Sequence, residues 1–326
     1  MRKTQRDTNP FPYSDTNKRY YTYDYYLRQT YGGKCAKITL DAGFTCPNID
    51  GRCGRGGCIY CSDRGSGDFA SDARLSLTEQ YLIQTEKMRR KWDTDKFIPY
   101  LQAHTNTYAP IERLRAVYEE TASLPGAVAM HVATRADCLG KEVVSLLRDV
   151  GDRIPLTVEL GLQSVSDETA RAIGRGHTFA DFLAGYEELR KGAPRVRVAI
   201  HLINGLPQES REQMLENVRR VAALRPDEVK LHLLHVLKDT PLARLYERGA
   251  YTPMTKEDYV ETVAEQLALL PPETVVGRLT GDGAADALLA PAWSLKKVTV
   301  LNDIDKKLYE TGSFQGKLCN MNKNER

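Results

Sequence analysis

Short apolar runs alternate with amphipathic stretches through the middle of the chain. Six runs predict strands, over residues 35–41, 97–104, 127–133, 154–162, 196–203 and 228–236. The stretches between them predict helices over 77–92, 110–123, 141–150, 167–173, 179–191 and 211–224. The strands are continuous apolar runs, so we expect both faces of each to be buried. Alternation of this kind predicts parallel strands in an α/β fold, either a doubly wound sheet or a barrel.

The two ends of the chain do not follow this alternation. Residues 1–33 are polar and rich in tyrosine, which is typical of an arm packed on the domain or of a surface that stacks on bases. After Leu237 the pattern predicts a helix over 256–270, a strand over 274–279 and a helix over 301–310. We therefore expect an arm over 1–33 that lies outside the core, a core over 34–240 and a C-terminal extension over 241–326.

Composition narrows the class of protein only slightly. The net charge of +3 over 326 residues permits a nucleic-acid partner without requiring one. No apolar run is long enough to span a membrane, and the polar N-terminus does not resemble a signal peptide. We therefore expect a cytoplasmic protein, in which clustered cysteines indicate metal or redox chemistry rather than disulfides.

Four of the seven cysteines, Cys46, Cys53, Cys58 and Cys61, lie in one glycine-rich loop that follows the first predicted strand. Glycine lets the backbone fold back closely and leaves N–H groups free to bond sulfur. The loop should lie at the carboxyl end of parallel strands, where sites are found in such folds. A structural zinc ion normally takes four protein ligands, whereas a catalytic iron–sulfur cluster can use three thiolates and keep one iron open.

Further motifs accompany this loop, among them KITLDAGFTCPNIDG, GRGGCIYC, FIPYLQAHTNTYAP, TRADCL, ELGLQS, GRGHT, HLINGLPQES and RLTGD. Together they resemble the radical S-adenosylmethionine (SAM) superfamily, in particular a bacterial branch related to the elongator catalytic subunit. The resemblance implies a partial (β/α)6 TIM-like barrel, the radical SAM core, over residues 34–240. It also implies a [4Fe-4S] cluster on Cys46, Cys58 and Cys61. Cys53 departs from the branch pattern. It is either a bystander that binds no metal or a fourth ligand, which would make the site structural.

The resemblance also implies contacts to SAM at the ends of four strands. Arg175 would bind the methionine carboxylate, which a planar guanidinium matches, and His201 would contact the ribose. Other roles are open for three of these residues: an acid at a strand edge bonded to Arg or Lys for Glu159, a surface residue for Arg175 and a core residue for His201. The positions assigned to SAM are Thr105, Asn106, Thr107, Glu159, Gln163, Ser164, Arg175 and His201.

For the substrate, the resemblance implies tRNA, with conversion of wobble 5-carboxymethylaminomethyluridine to 5-aminomethyluridine. Its candidate catalytic residues are Arg278, Asp282 and His232, whereas His235, three residues further on, should face the opposite side of the strand. The expected partners are an electron donor such as flavodoxin or ferredoxin and a tRNA methyltransferase that uses the product. Two alternatives remain: a radical enzyme for a small molecule or protein, and a metal-stabilised binding protein without catalysis.

Overall fold

The computed structural model describes residues 9–62, 65, 73–281, 283 and 285–319. Seven parallel strands form a curled half-barrel sheet in the order β1-β2-β3-β4-β5-β6-β8, and β7 and β9 form a small antiparallel ribbon. The strands are β1 Ala36–Leu40, β2 Phe97–Leu101, β3 Met130–Thr134, β4 Leu156–Gln163, β5 Arg197–Asn204, β6 Glu228–Leu233, β7 Val236–Leu237, β8 Val275–Arg278 and β9 Leu288–Ala290.

The helices follow the strands along the chain, as the alternation predicts. Several begin at a capping box: Ser76 Oγ accepts from Glu79 N at 3.2 Å, and the Glu79 carboxylate accepts from Ser76 N at 2.8 Å. The helices are α1 Tyr23–Tyr31, α2 Leu77–Lys91, α3 Ile111–Ala122, α4 Lys141–Gly151, α5 Asp167–Ala172, α6 Phe179–Gly192, α7 Arg211–Leu224, α8 Pro241–Glu247, α9 Lys256–Leu269 and α10 Lys297–Glu310. No helix among the described residues has the length and apolar composition that a membrane span requires.

The α/β half-barrel is confirmed, with three differences from the prediction. The sheet has a seventh strand, because β8 from the predicted extension pairs in parallel with β6. The predicted strand over 228–236 is wrong as one element, since β6 ends at Leu233 and β7 belongs to the ribbon. The strands are also not apolar on both faces. On β4, Val158 and Leu160 pack in the outer core, whereas Glu159 between them faces the barrel interior.

The N-terminal arm, which the sequence places outside the barrel, reaches into it. Thr22 forms a parallel bridge to Val276 of β8, and α1 packs with Cys35, Ile98 and Ala129 near the amino ends of β1–β3. The Tyr23 hydroxyl lies 3.1 Å from His131 Nε2 in the interior. Packing is therefore the role of Tyr23, and α1 covers the amino end of the barrel.

Helix α6 crosses the short 3-10 turn Ala136–Cys138 at Gly185, where a Cβ would overlap the Ala136 carbonyl oxygen. Gly185→Ala should therefore lower the free energy of unfolding by about 2 kcal/mol, because overpacking outweighs the gain in helix propensity. Urea unfolding measures this change. Gly140→Ala is the control, since a Cβ at Gly140 meets no atom within 4 Å. Equal midpoints for the Gly185→Ala variant and the unmodified protein would contradict the close crossing.

Candidate active site

The carboxyl ends of the sheet strands and the barrel interior enclose a cavity of about 500 Å³. The cysteine loop, residues 46–61, lies at its rim, and polar side chains from the sheet line its inner part. Asp282 lies outside the described residues. The predicted site residues that line this cavity are Cys46, Cys58, Cys61, Thr105, Glu159, Gln163, Arg175, His201, His232 and Arg278.

The cysteine loop separates its thiols into two groups. Cys58 is buried, Cys46 and Cys61 are half-buried, and all three line the cavity, whereas Cys53 is exposed and does not. Ile59 N donates to the carbonyl of Ile173 after α5 at 3.0 Å, and Leu242 N of α8 donates to the Ile59 carbonyl at 2.8 Å. The loop is thus held by two elements distant in sequence.

Asn48 is a site residue that the sequence motifs did not indicate. It is buried, and its Nδ2 donates to Cys58 Sγ at 3.4 Å and to the Gly174 carbonyl. Gly54 and Gly176 pack on its Oδ1 so closely that a Cβ at either position would overlap it. Glycine at both positions therefore lets the backbone approach the Asn48 amide closely. This amide stabilises negative charge on the Cys58 sulfur.

Two buried arginines add positive charge beside the thiols. Arg135 Nη1 donates to the Arg175 carbonyl at 2.8 Å, and the Arg175 guanidinium donates to the Gly161 carbonyl. The pKa of the Cys58 thiol is lowered by a hydrogen bond from Cys61 and by the charges of Arg175 and Arg135, although burial opposes this shift. Thiolates are the form that binds metal, so this environment suits a metal-thiolate group.

The positions of the three thiols are compatible with a cluster. Across the described parts of the chain, no three or more His, Cys, Asp and Glu side chains converge closely enough to hold one metal ion. A four-iron cluster bonds each thiolate to a different iron, so its ligands need not converge on one point. Three thiols at the cavity rim match that requirement, with space beside them for a ligand.

The predicted SAM positions divide by where their side chains point. Gln163, in the left-handed region at φ 73°, and Arg175 both reach the cavity past Gly161, where a Cβ would lie 2.8 Å from Gln163 Nε2. Ser164 instead donates to Glu209 and Asn217. The ELGLQS motif thus directs Gln163 into the cavity and Ser164 into a supporting contact.

Within the Thr-Asn-Thr turn, only Thr105 lines the cavity. Asn106 Nδ2 donates to the carbonyls of Ala103 and Ala133 at 3.0 and 2.9 Å. Thr107 Oγ1 donates to the Cys138 carbonyl at 2.9 Å. The side chains of Asn106 and Thr107 therefore join the ends of β2 and β3.

Inside the barrel, the fully buried carboxylate of Glu159 binds five side chains from five other strands. Two lysines supply opposite charge, Lys37 Nζ at 2.8 Å and Lys230 Nζ, and the other donors are neutral. Glu159 is therefore paired with lysine, as one alternative from the sequence held, but it lies buried on the central strand β4 rather than at a strand edge. The neutral donors are His131 Nδ1 at 2.6 Å, His201 Nε2 at 2.9 Å and the Tyr100 hydroxyl at 2.7 Å.

The charges of this network shift the pKa values of its members. Burial alone would raise the pKa of Glu159, but Lys230 and Lys37 hold it well below its usual range. Burial and the neighbouring lysines lower the pKa of His131 to about 3 and of His201 to about 4. Burial lowers the pKa of Lys230 to about 8. The histidines are therefore neutral donors to an ionised Glu159 at neutral pH.

Sequence reasoning missed Lys37, Tyr100 and His131 as parts of the site. Their signal was a polar residue at the inward position of a strand, which is visible only once the barrel interior is known. The prediction that His232 and His235 face opposite sides is wrong, because β6 ends at Leu233 and both histidines line the cavity.

Comparison with known proteins identifies the class. A family model described as the Radical SAM superfamily matches residues 48–221, and one described as the Radical_SAM C-terminal domain matches residues 226–310. The chain therefore belongs to the radical SAM superfamily, whose members use SAM and a [4Fe-4S] cluster, as the sequence motifs predict. The protein YtqA of Bacillus subtilis (strain 168) is 46% identical over 309 residues, 95% of each chain.

Two further similarities bear on the relation to the elongator branch and on the fold. A tRNA uridine(34) acetyltransferase of Methanocaldococcus jannaschii is 26% identical over 165 residues, 50% of this chain and 30% of that protein. The solved structure of archaeal Methanocaldococcus infernus Elp3 aligns with a TM-score of 0.62 and 20% identity, over 86% of this chain and 64% of that one. The structural match confirms the fold, and the predicted relation to the elongator catalytic subunit is confirmed.

The buried histidines should make stability depend on pH. An unfolded histidine titrates near pH 6.5, whereas His131 and His201 titrate near 3 and 4 in the folded chain. Between these values the unfolded state binds more protons, so stability falls as the pH falls below 6.5. Between pH 6.5 and 5, each histidine should lower the free energy of unfolding by about 2 kcal/mol.

Urea unfolding at a series of pH values measures this slope. His131→Asn and His201→Asn should each reduce it by about 1.4 kcal/mol per pH unit. Unchanged slopes in both variants would show that the histidines are already charged in the folded chain.

Proposed function

We propose that this chain is a radical SAM enzyme that converts 5-carboxymethylaminomethyluridine at the tRNA wobble position to 5-aminomethyluridine. The observation that carries the proposal is the cavity itself, in which three thiols, two arginines and a buried ionic network face one space. Kinship with a tRNA uridine(34) acetyltransferase supports tRNA as the substrate. The reaction would break the bond between the nitrogen and the carboxymethyl carbon. That carbon would lose a hydrogen atom to the 5′-deoxyadenosyl radical and one electron to the oxidised cluster, and addition of water to the resulting imine would release glyoxylate and leave a primary amine.

In this proposal Cys46, Cys58 and Cys61 bind the cluster and Cys53 does not, since Cys53 is exposed and lies outside the cavity lining. When bound, the cluster and SAM supply a 5′-deoxyadenosyl radical that abstracts hydrogen. The Asn48 amide would stabilise negative charge on the Cys58 sulfur by donating a hydrogen bond to it. A flavodoxin or ferredoxin would deliver the electron, and a tRNA methyltransferase would use the product.

The cavity walls would orient SAM through side chains from different strands. Arg175 offers a planar guanidinium to the methionine carboxylate, and Gln163 and Thr105 line the same wall. His201 would contact the ribose, and its ring is held by the bond from Nε2 to Glu159. The ionic network inside the barrel lines the inner part of the cavity, away from the thiols at its rim.

Exposed cations near the cavity mouth would contact the tRNA backbone. Arg52 lies in the cysteine loop and packs over the ring of Tyr108, with its guanidinium carbon 5.5 Å from the ring centroid. Arg55 is exposed in the same loop. Phosphate contacts position a nucleic acid without selecting its sequence, so selectivity for the modified base would come from the cavity.

The cluster assignment is tested by the iron content of two cysteine variants after anaerobic reconstitution. Cys58→Ala should lose most of the iron, because it removes the buried thiol that Asn48 and the arginines stabilise. Cys53→Ala should keep it and serves as the matched control. Equal losses of iron in both variants would refute the assignment of three ligands.

The substrate is tested with reconstituted protein, SAM, dithionite and tRNA that carries 5-carboxymethylaminomethyluridine. We expect 5-aminomethyluridine to replace the substrate nucleoside and 5′-deoxyadenosine to form with it, as measured by mass spectrometry of digested tRNA. The Cys58→Ala variant is the control. Formation of 5′-deoxyadenosine with unchanged tRNA would reject the tRNA substrate, and the absence of 5′-deoxyadenosine would reject the radical function.

A further inference from the structure

Two histidines near the end of β6 line the cavity and have no part in the function proposed above. His232 is the penultimate residue of β6 and shares the inward face of that strand with Lys230, because residues two apart on a strand point to the same side. His235 lies beyond the strand and packs against Gly281, where a Cβ would lie 2.6 Å from its ring. We call His232 and His235 the histidine pair.

The histidine pair carries buried polar atoms that lack a partner. The Nε2 atoms of both rings are buried and have no hydrogen-bond partner within the described part of the chain. Buried polar atoms in folded proteins are nearly always bonded. Both side chains line the cavity, so a polar ligand in the cavity can supply the missing bonds.

Burial keeps both rings of the histidine pair neutral. It lowers the pKa of His232 well below its usual value and the pKa of His235 to about 4, and nearby positive charges act in the same direction. A neutral imidazole offers one N–H donor and one acceptor nitrogen. The pair therefore suits a neutral ligand that presents both an acceptor and a donor.

The position of the histidine pair places it beside the expected reaction centre. His201 pairs in register with Lys230, His232 lies two residues further along β6, and the His201 and His232 ring centroids are 5.2 Å apart. In the proposed function His201 contacts the SAM ribose, and the 5′ carbon of that ribose takes hydrogen from the substrate. Reacting atoms must approach to about 3–3.5 Å. The reacting substituent of the uridine would therefore enter next to His232, with His235 one step further out.

We propose that the histidine pair binds the polar edge of the uracil ring, in which the His232 imidazole donates a hydrogen bond to O4 and the His235 imidazole accepts one from N3–H. The inference rests on the proposed function. The reacting substituent is attached to C5, the next ring atom is C4 with its oxygen, and N3 follows. This order matches that of His201, His232 and His235. Enzymes that act on a base take it out of its stack and bind its Watson–Crick edge through hydrogen bonds.

The test compares two anticodon stem-loops with the reconstituted holoenzyme. Both carry the 5-carboxymethylaminomethyl group, one on uracil and the other on 4-thiouracil, whose sulfur is a weaker acceptor. A neutral hydrogen bond is worth about 3- to 10-fold, so the unmodified enzyme should prefer oxygen by that factor in kcat/KM and in stem-loop affinity measured by fluorescence anisotropy. His232→Phe should remove this preference, because it keeps a ring without a donor. His232→Gln should restore most of it, because its amide donates.

His235→Phe separates the two contacts of the histidine pair. It should weaken the binding of both stem-loops by about 10-fold and keep the preference for oxygen, because it removes only the partner of N3–H. Unchanged affinity of the loaded His235→Phe variant for both stem-loops would overturn this contact.

His177→Phe is the matched control. The Nε2 atom of His177 is also buried without a partner among the described residues, but His177 does not line the cavity. This variant should keep the full preference for oxygen. Iron content shows which variants are loaded, and His232→Ala replaces His232→Phe if the latter is not.

Three results would overturn or reject these assignments. The affinity for SAM, measured by equilibrium dialysis, should stay within about two-fold in the variants of the histidine pair, and equal losses of SAM and stem-loop affinity would assign the pair to SAM instead. Production of 5-aminomethyluridine with an undiminished preference for oxygen in the loaded His232→Phe variant, or with equal use of both stem-loops by the unmodified enzyme, would overturn the base site and leave the proposed function standing. No change in either stem-loop with the unmodified enzyme would reject the proposed function itself.

Discussion

The buried carboxylate of Glu159 is the constraint around which the barrel interior is organised. An ionised group without partners is very costly to bury, and here five side chains from five other strands surround it. Two lysines neutralise the charge, while a tyrosine and two neutral histidines complete its hydrogen bonds. The network therefore links the inner faces of β1 to β6, and removing any single partner would leave an uncompensated group in the interior.

This network also decides where a ligand can bind. It fills the interior, and Tyr23 of α1 adds to it from the amino end of the barrel, so the open space lies at the carboxyl ends of the strands. The cysteine loop is held over that space by the turn after α5 and by α8. Arginines line the cavity at two places, Arg135 and Arg175 beside the thiols and Arg278 on β8.

Much of the fold could be predicted from periodicity. Six strands and the helices between them follow from apolar runs and capping signals such as Ser76 with Glu79, because these depend on residues close in sequence. The prediction was wrong for residues 228–236, where the chain leaves the sheet after Leu233 and Val236 of β7 pairs instead with Ala290 of β9, a partner far away in the sequence. It also left β8 out of the sheet, since a strand of four residues carries no signal of the neighbour it will pair with.

By itself, the sequence determined the class of protein, the alternation of strands and helices, and the loop that carries Cys46, Cys58 and Cys61, because each depends on local spacing. Only the tertiary structure decided that Glu159 is paired with Lys37 and Lys230, that Asn48 contacts Cys58, and that His232 and His235 share a cavity with Arg278. These contacts join residues that are far apart in the chain. They exist only where the curvature of the sheet turns the inward positions of several strands toward one space.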